Sequence, residues 1–229
     1  MKLITVAGPP SSGKTSVIGR ALESLGETDF KFGVIKFDCL SSDDDAVYLA
    51  AGIPALKGLS GPLCPDHYFV SNIDRVFEWA GKRGIDTVIV ESAGLCNRCS
   101  PHIRGCLAVC VVDNMSGLHT PKKIGPMLKL SDIAVITKGD IVSQAEREVY
   151  SFRVQKTAPR ARVMTVNGRT GQGAAALAAA FLEAPESDVS SDTLKLRFTM
   201  PAALCSYCLG ETRVAPEYQI GQFRKLQIG

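Results

Sequence analysis

Histidine is scarce in this chain of 229 residues: three in all, which excludes a histidine-rich metal-storage tract. Excess charge is scarce too. With 26 Lys and Arg against 23 Asp and Glu, the net charge of +3 gives no argument for nucleic acid or an anionic membrane as partner. No apolar run approaches the roughly 18 residues of a transmembrane helix, so membrane insertion is not expected. Met1–Ala7 runs straight into Gly8-Pro9-Pro10 with no secretory hydrophobic region or cleavage site, and a cytoplasmic location is expected. Internal repeats and long low-complexity tracts are also missing. Hydrophobic residues at 45% and charged residues at 21% suit one full-sized core with a small appendage, not two large domains.

Apolar runs of strand type recur along most of the length: Leu3–Ala7, Gly33–Phe37, Thr87–Val90, Leu107–Val112, Ile133–Ile136 and Arg162–Val166. They are nearly continuous and rich in β-branched residues, as in strands covered on both faces of a parallel sheet. Between two of them, Phe69, Val70, Ile73, Val76, Phe77 and Ala80 recur at helical spacing, and Ala174–Leu182 reads as a late helix. The expected fold is a doubly wound α/β domain of P-loop NTPase type over residues 1–185, with a mostly parallel sheet. Residues 186–229 read as a linker, Glu186–Asp192, followed by a small cysteine-containing extension. There Leu194, Leu196 and Phe198 alternate as in a strand.

Gly8-Pro9-Pro10-Ser11-Ser12-Gly13-Lys14-Thr15 fits G-x-x-x-x-G-K-[ST] between an expected strand and an expected helix, the context the motif requires. Loop amides and the helix N-terminus would face the phosphates, Lys14 would reach the β- and γ-phosphates, and Thr15 would ligate Mg²⁺. Gly8, Ser11, Ser12, Gly13, Lys14, Thr15 and Ser16 are therefore the expected phosphate-binding residues. Thr137-Lys138-Gly139-Asp140 closes the strand Ile133–Ile136. The Asp140 carboxylate can accept from guanine N1–H and the 2-amino group, and the Lys138 stem can lie over the base. The same Asp140 can equally cap the helix that begins near Ser143.

Eight cysteines remain. Chains of this compartment seldom use disulfides, so the thiols read as core or as metal ligands. Cys39, Cys106 and Cys110 lie in or beside apolar stretches and are expected in the core. Cys96 and Cys99 form one CxxC pair and Cys205 and Cys208 another. Each can grip one metal ion or act as a redox pair, and together they supply a four-thiolate set for zinc or an iron–sulfur cluster. Cys64 and His67, three apart, can meet one ion at a helix start. His102 is a further candidate near the first pair.

In order, these motifs resemble the SIMIBI-class metallochaperone GTPases that insert nickel into hydrogenase and urease. The resemblance covers about residues 1–182. Phe37-Asp38 with Ser41–Ala46 is similar to the first switch of that family, and Val90-Glu91-Ser92-Ala93-Gly94 to its second. Gly61–His67 resembles its metal-binding Cys-Pro-His or Cys-His segment. Pro121–Pro126 followed by Ser131-Asp132-Ile133 and the TKGD run keeps the order of the urease-type members, and Val166–Gly173, with Asn167, resembles the loop over the guanine base. Thr137 stands where the family has Asn, His67 is displaced by Pro65-Asp66, and the tail beyond Ser187 has no counterpart.

The resemblance implies a GTP-hydrolysing metallochaperone with Mg²⁺ at Thr15, and with Asp38 and Glu91 near that ion or the attacking water. It implies slow intrinsic turnover, homodimerisation, and a client metalloenzyme or another maturation protein as partner. Nickel, zinc or an iron–sulfur cluster would sit at the cysteines, and the CxxC that follows the second switch would let nucleotide state set metal affinity. An ATP-dependent redox protein with a subunit-bridging iron–sulfur cluster is the alternative.

Overall fold

In the computed structural model, residues 1–26, 28–94, 100–187, 193–198, 210–219 and 224–228 are described. Seven strands form one sheet: β1 (Lys2–Ala7), β2 (Phe32–Asp38), β3 (Ala55–Leu59), β4 (Thr87–Ser92), β5 (Leu107–Asp113), β6 (Ile133–Thr137) and β7 (Arg162–Thr165). Their order is β3-β2-β4-β1-β5-β6-β7, and every neighbouring pair is parallel. The expected doubly wound α/β fold is observed, with an entirely parallel sheet.

Helices cover both faces, as parallel crossovers require. On one face lie α1 (Lys14–Ser24), α2 (Asp44–Ala50) and α8 (Ala174–Leu182). Val17, Ile18, Tyr48, Leu177 and Phe181 there meet Ile4, Val34, Ile89 and Val135 in one core. The other face carries α3 (Pro65–Ser71), α4 (Ile73–Arg83), α5 (Thr120–Ile124), α6 (Pro126–Lys129) and α7 (Gln144–Thr157). Phe69, Ile73, Val76 and Trp79 pack there against Leu3, Ile35, Phe37 and Val88, and Met127, Tyr150 and Val154 against Cys110, Val112 and Ile136. Among the described residues no helix is long and apolar enough to cross a membrane.

Three local expectations change. The helical periodicity from Phe69 to Ala80 spans two helices, broken at Asn72. The buried Asn72 amide donates to Tyr68 O and Arg224 O and accepts from Leu226 N, so the break anchors the end of the chain. Residues 193–198 make isolated antiparallel bridges, Ile103 to Leu196 and Lys195 to Arg213, in place of a strand. Arg197 fixes this segment through Asp132, at 2.7 Å on both oxygens, and the carbonyls of Ile103, Leu130 and Cys106. Leu194, Leu196, Val214, Leu226 and Ile228 bury themselves in the core beneath α3 and α4. Cys106 and Cys110 are buried as expected, whereas Cys39 is only half-buried at the end of β2.

Candidate nucleotide site and its thiol neighbourhood

The carboxyl ends of β1, β4 and β5 open onto the loop Gly8–Thr15, where α/β sheets place their ligands. Gly8 sits at φ +152°, and a side chain there would strike Val111 O at 2.0 Å. Gly13 begins α1 with no side-chain cap and no acidic residue in the first turn, so the amide donors of the helix face the loop. The Ser12 hydroxyl is buried with no hydrogen-bond partner. Lys14 is buried, and its ammonium donates to the carbonyls of Gly8 and Pro9 at 2.9 Å each. Burial lowers its pKa to about 8 against the opposing pull of Glu91. Ser11 and Ser16 are exposed at the loop rim. Directed amides, an orphaned hydroxyl and a buried ammonium form a donor set suited to a polyphosphate.

Glu91, fully buried at the end of β4, organises the adjacent wall. Its Oε1 accepts from the Thr15 hydroxyl at 2.8 Å and from the Lys36 ammonium at 2.6 Å, and its Oε2 from the Tyr48 phenol at 2.8 Å. Lys36 also pairs with Asp44 at 2.8 Å. Burial alone would lower the Lys36 pKa, but Glu91 and Asp44 outweigh it and hold the pKa above its ordinary value. Burial raises the Tyr48 phenol well above its usual range, and the Glu91 charge adds to this. Asp38, half-buried at the end of β2, accepts from Cys39 N, and its charge reaches Lys14. Thr15, Glu91, Asp44 and Asp38 are hard oxygen donors of the kind that suits Mg²⁺.

Lys36 and Tyr48 are missing from the sequence reading. The one signal for Lys36 was a lysine in the middle of an otherwise apolar strand, and its partner is set by the β2–β4 register, which pairs Lys36 with Glu91.

On the other side of the loop, Thr137 does what the sequence left open. Its hydroxyl donates to Ser12 O at 2.6 Å, so a shorter side chain still ties the TKGD turn to the phosphate loop. The Lys138 ammonium donates to Ser11 O at 2.7 Å and lies 3.5 Å from Asp113. Asn114, which sequence reasoning missed, donates to Thr137 O at 2.7 Å. Asp140 is exposed and shares a cavity of about 300 Å³ with Gly139, Arg147, Val166, Asn167 and Gln172. The Asn167 carbonyl oxygen of the side chain accepts from Arg169 N and Thr170 N, so this residue shapes its own loop. Ser143 caps α7 in a capping box with Glu146, and the Asp140 carboxylate is not that cap.

The segment Val90–Gly94 joins this site to the segment bearing Cys64. A side chain on Gly94, at φ +67°, would overlap Gly8 O at 1.7 Å, so only glycine lets the two backbones meet. The Ser92 hydroxyl donates to the Asp66 carboxylate, which is buried at the start of α3. Cys64 precedes α3 and is exposed, and His67 is buried within the helix. Cys96, Cys99, Cys205 and Cys208 lie outside the described residues. Among the described residues no group of three or more His, Cys, Asp and Glu side chains could hold a metal ion. His102 is fully buried, with Nδ1 at 2.8 Å from the Thr5 hydroxyl and Nε2 at 3.0 Å from Met127 O. Both ring nitrogens are thus engaged within the fold.

Comparison with known proteins agrees with this geometry. Residues 2–165 match the family model described as CobW/HypB/UreG, nucleotide-binding domain. The chain is 44% identical over 227 residues to the uncharacterized protein MJ0120 of Methanocaldococcus jannaschii, covering 99% of this chain and 96% of that one. The hydrogenase maturation factor HypB of Archaeoglobus fulgidus superimposes with a TM-score of 0.62 at 22% identity, over 80% of this chain and 89% of that one. HypB of Helicobacter pylori, solved in complex with nickel, gives a TM-score of 0.65 at 20% identity, over 80% and 86%. Both share the fold. With its phosphate loop between β1 and α1 of a parallel sheet, this chain belongs to the CobW/HypB/UreG family of nucleotide-binding domains.

Proposed function

We propose that this protein is a GTP-hydrolysing metallochaperone or metallocentre-assembly factor whose nucleotide state controls a thiolate metal site. The observation that carries the reading is the double contact of the second switch. Gly94 lies on the phosphate loop at Gly8, while Ser92, two residues earlier, holds Asp66 beside Cys64. A γ-phosphate that moves the Gly8–Thr15 loop or Gly94 therefore pulls on the segment bearing Cys64 and on the chain leading to Cys96 and Cys99. The structural match to a HypB solved with nickel supports a metal as cargo.

In this reading Lys14 and the loop amides hold the β- and γ-phosphates, and Asp140 reads guanine beside Asn167, with Thr137 bracing the turn. Thr15, with Asp38 and Glu91 near, would hold Mg²⁺, which would neutralise the charge on the phosphates. Water attacks the γ-phosphorus in line, the bond to the bridging oxygen breaks, and the residues contribute by positioning and charge. Turnover is slow until a second copy or a partner protein completes the site. The chain acts as a cytoplasmic homodimer serving a client metalloenzyme or another maturation protein. The nucleotide domain spans residues 1–185, and residues 186–229 add a second thiol pair.

The test is Ni²⁺ and Zn²⁺ affinity of anaerobically purified protein with GDP and with a non-hydrolysable GTP analogue. Wild type is compared with Cys64→Ala and with Cys96→Ala/Cys99→Ala. Affinity that depends on the nucleotide and is lost in a thiol variant is expected. Equal affinity in both nucleotide states would sink the coupling, and iron with sulfide in the purified protein would favour the redox-cluster alternative.

A further inference from the structure

Lys36 has no task in the proposed function, yet its ammonium pairs with two carboxylates. It faces Glu91 across the parallel β2–β4 ladder, on the sheet face that carries α1. Its side chain is 6% exposed. The Lys36 ammonium meets Glu91 Oε1 at 2.6 Å and Asp44 Oδ2 at 2.8 Å, and Thr15 Oγ1 donates at 2.8 Å to that same Glu91 oxygen. Two carboxylates thus meet one cation, and the Thr15 hydroxyl joins one of them, so three oxygen-bearing side chains from three parts of the chain are linked. They are the residue after the loop lysine, the end of β4 and the first residue of α2. Carboxylate and hydroxyl oxygens converging in this way are what a hard divalent ion selects.

We infer that Lys36 is a tethered cation that competes with Mg²⁺ for the Thr15–Glu91–Asp44 oxygens and, by the same contacts, latches the first switch to the sheet. A buried carboxylate without a counter-charge is costly, and Lys36 meets that need within the chain. A divalent ion carries twice the charge and demands the oxygens in a fixed octahedron. It cannot share Glu91 Oε1 and Asp44 Oδ2 with an ammonium at these distances, so its entry detaches Lys36. Asp44 belongs to α2, a helix of seven residues whose buried anchor is Tyr48, bonded to the same Glu91. Releasing Lys36 therefore loosens both ties of α2 at one carboxylate, and ion entry and movement of the first switch become a single event. Lys36 is on this account a positioning residue. The proposal rests on the reading that Mg²⁺ enters beside Thr15.

The experiment is Mn²⁺ binding, followed by electron paramagnetic resonance, to the nucleotide-free full-length protein, its Lys36→Met and Lys36→Gln variants, and Asp44→Asn in the Lys36→Met background. Removing the competing charge is expected to tighten Mn²⁺ by about tenfold or more, and Asp44→Asn to reverse much of that gain. Equal Mn²⁺ affinity in wild type and a folded Lys36 variant would overturn the proposal. If both Lys36 variants fail to fold, hydrogen exchange of residues 40–50 in wild type decides: faster exchange on adding Mg²⁺ is expected, and unchanged exchange overturns the latch. Binding of a fluorescent GTP analogue in the same preparation tests the nucleotide reading separately. Its failure alongside the expected Mn²⁺ result would overturn that reading and leave the Lys36 competition standing.

Discussion

The two walls of the phosphate loop are built from different chemistry. On the base side, Thr137, Asn114 and Lys138 reach backbone carbonyls: Ser12 O, Thr137 O and Ser11 O. Two of those three bonds are between neutral groups, and the carboxylate left for a ligand, Asp140, stands in solvent. On the switch side, full charges meet full charges: Glu91 with Lys36 out of water, and Lys36 with the half-buried Asp44. A backbone-directed bond fixes a shape and has one partner. A buried ion pair stores a charge that can change partners, at a desolvation cost only a close counter-charge offsets. In the proposed function the base side would serve recognition and the switch side exchange.

The comparison breaks most visibly at Glu91. Glu91→Gln keeps the size of the side chain but leaves Asp44 as the only counter-charge of the Lys36 ammonium, and removing one charge of a buried pair typically costs about 3–5 kcal/mol. Denaturant unfolding should show that loss, and Glu91→Gln/Lys36→Met should recover part of it through coupling between the two sites. A cost below about 1 kcal/mol, the range of an exposed ion pair, would mean that the switch wall is no more charged in effect than the base wall.

His102 sharpens the contrast from outside the site, since it is a titratable group held by neutral partners. Burial, with the nearby Arg197 charge, lowers its pKa from 6.5 to about 4. The folded chain therefore keeps the ring neutral while the unfolded chain takes up a proton below pH 6.5. Stability should be fully present above that pH and fall as pH drops through 6.5 toward 4, by as much as about 3 kcal/mol. Urea midpoints across that range, compared with His102→Gln, check it. A variant that loses stability as steeply as wild type would assign the acid sensitivity to the carboxylates instead.

The same division explains what could be read from the sequence. β1, β2 and β4 to β6 were visible because a strand buried on both faces writes itself as a continuous β-branched run, and β7, an edge strand of mixed exposure, was visible through its run Val163-Met164-Thr165-Val166. The phosphate loop was visible because its pattern is local. β3 was not, because Ala55–Leu59 is an edge strand of mixed exposure with Lys57 and Gly58 inside it. Helical periodicity ran through Asn72 because nothing local marks a side chain whose partners, Arg224 and Leu226, come from the end of the chain. Cys39 looked like core because its apolar neighbours belong to β2, which ends at Asp38, one residue before it. The Lys36–Glu91 pair needed the strand register, a fact of the folded sheet and not of either segment.

The smallest effect is expected on the base side, at the residue that departs from the family motif. Thr137→Val keeps the β-branched shape suited to the end of β6 and removes only the hydroxyl. Ser12 O then loses its 2.6 Å donor, while the neighbouring Val112 O, 3.3 Å from the same hydroxyl, loses a weaker contact. Leaving a buried carbonyl unpaired costs about 1–3 kcal/mol, and a single neutral bond belongs near the lower end. Thermal unfolding should shift modestly, and affinity for the guanine nucleotide should fall because the turn bearing Asp140 is no longer tied to the phosphate loop. Thr137→Ser keeps the hydroxyl and should retain most of that affinity. If Thr137→Val instead matched Glu91→Gln in cost, the neutral wall would be carrying a load that its bonding does not explain, and the division between recognition and exchange would fail.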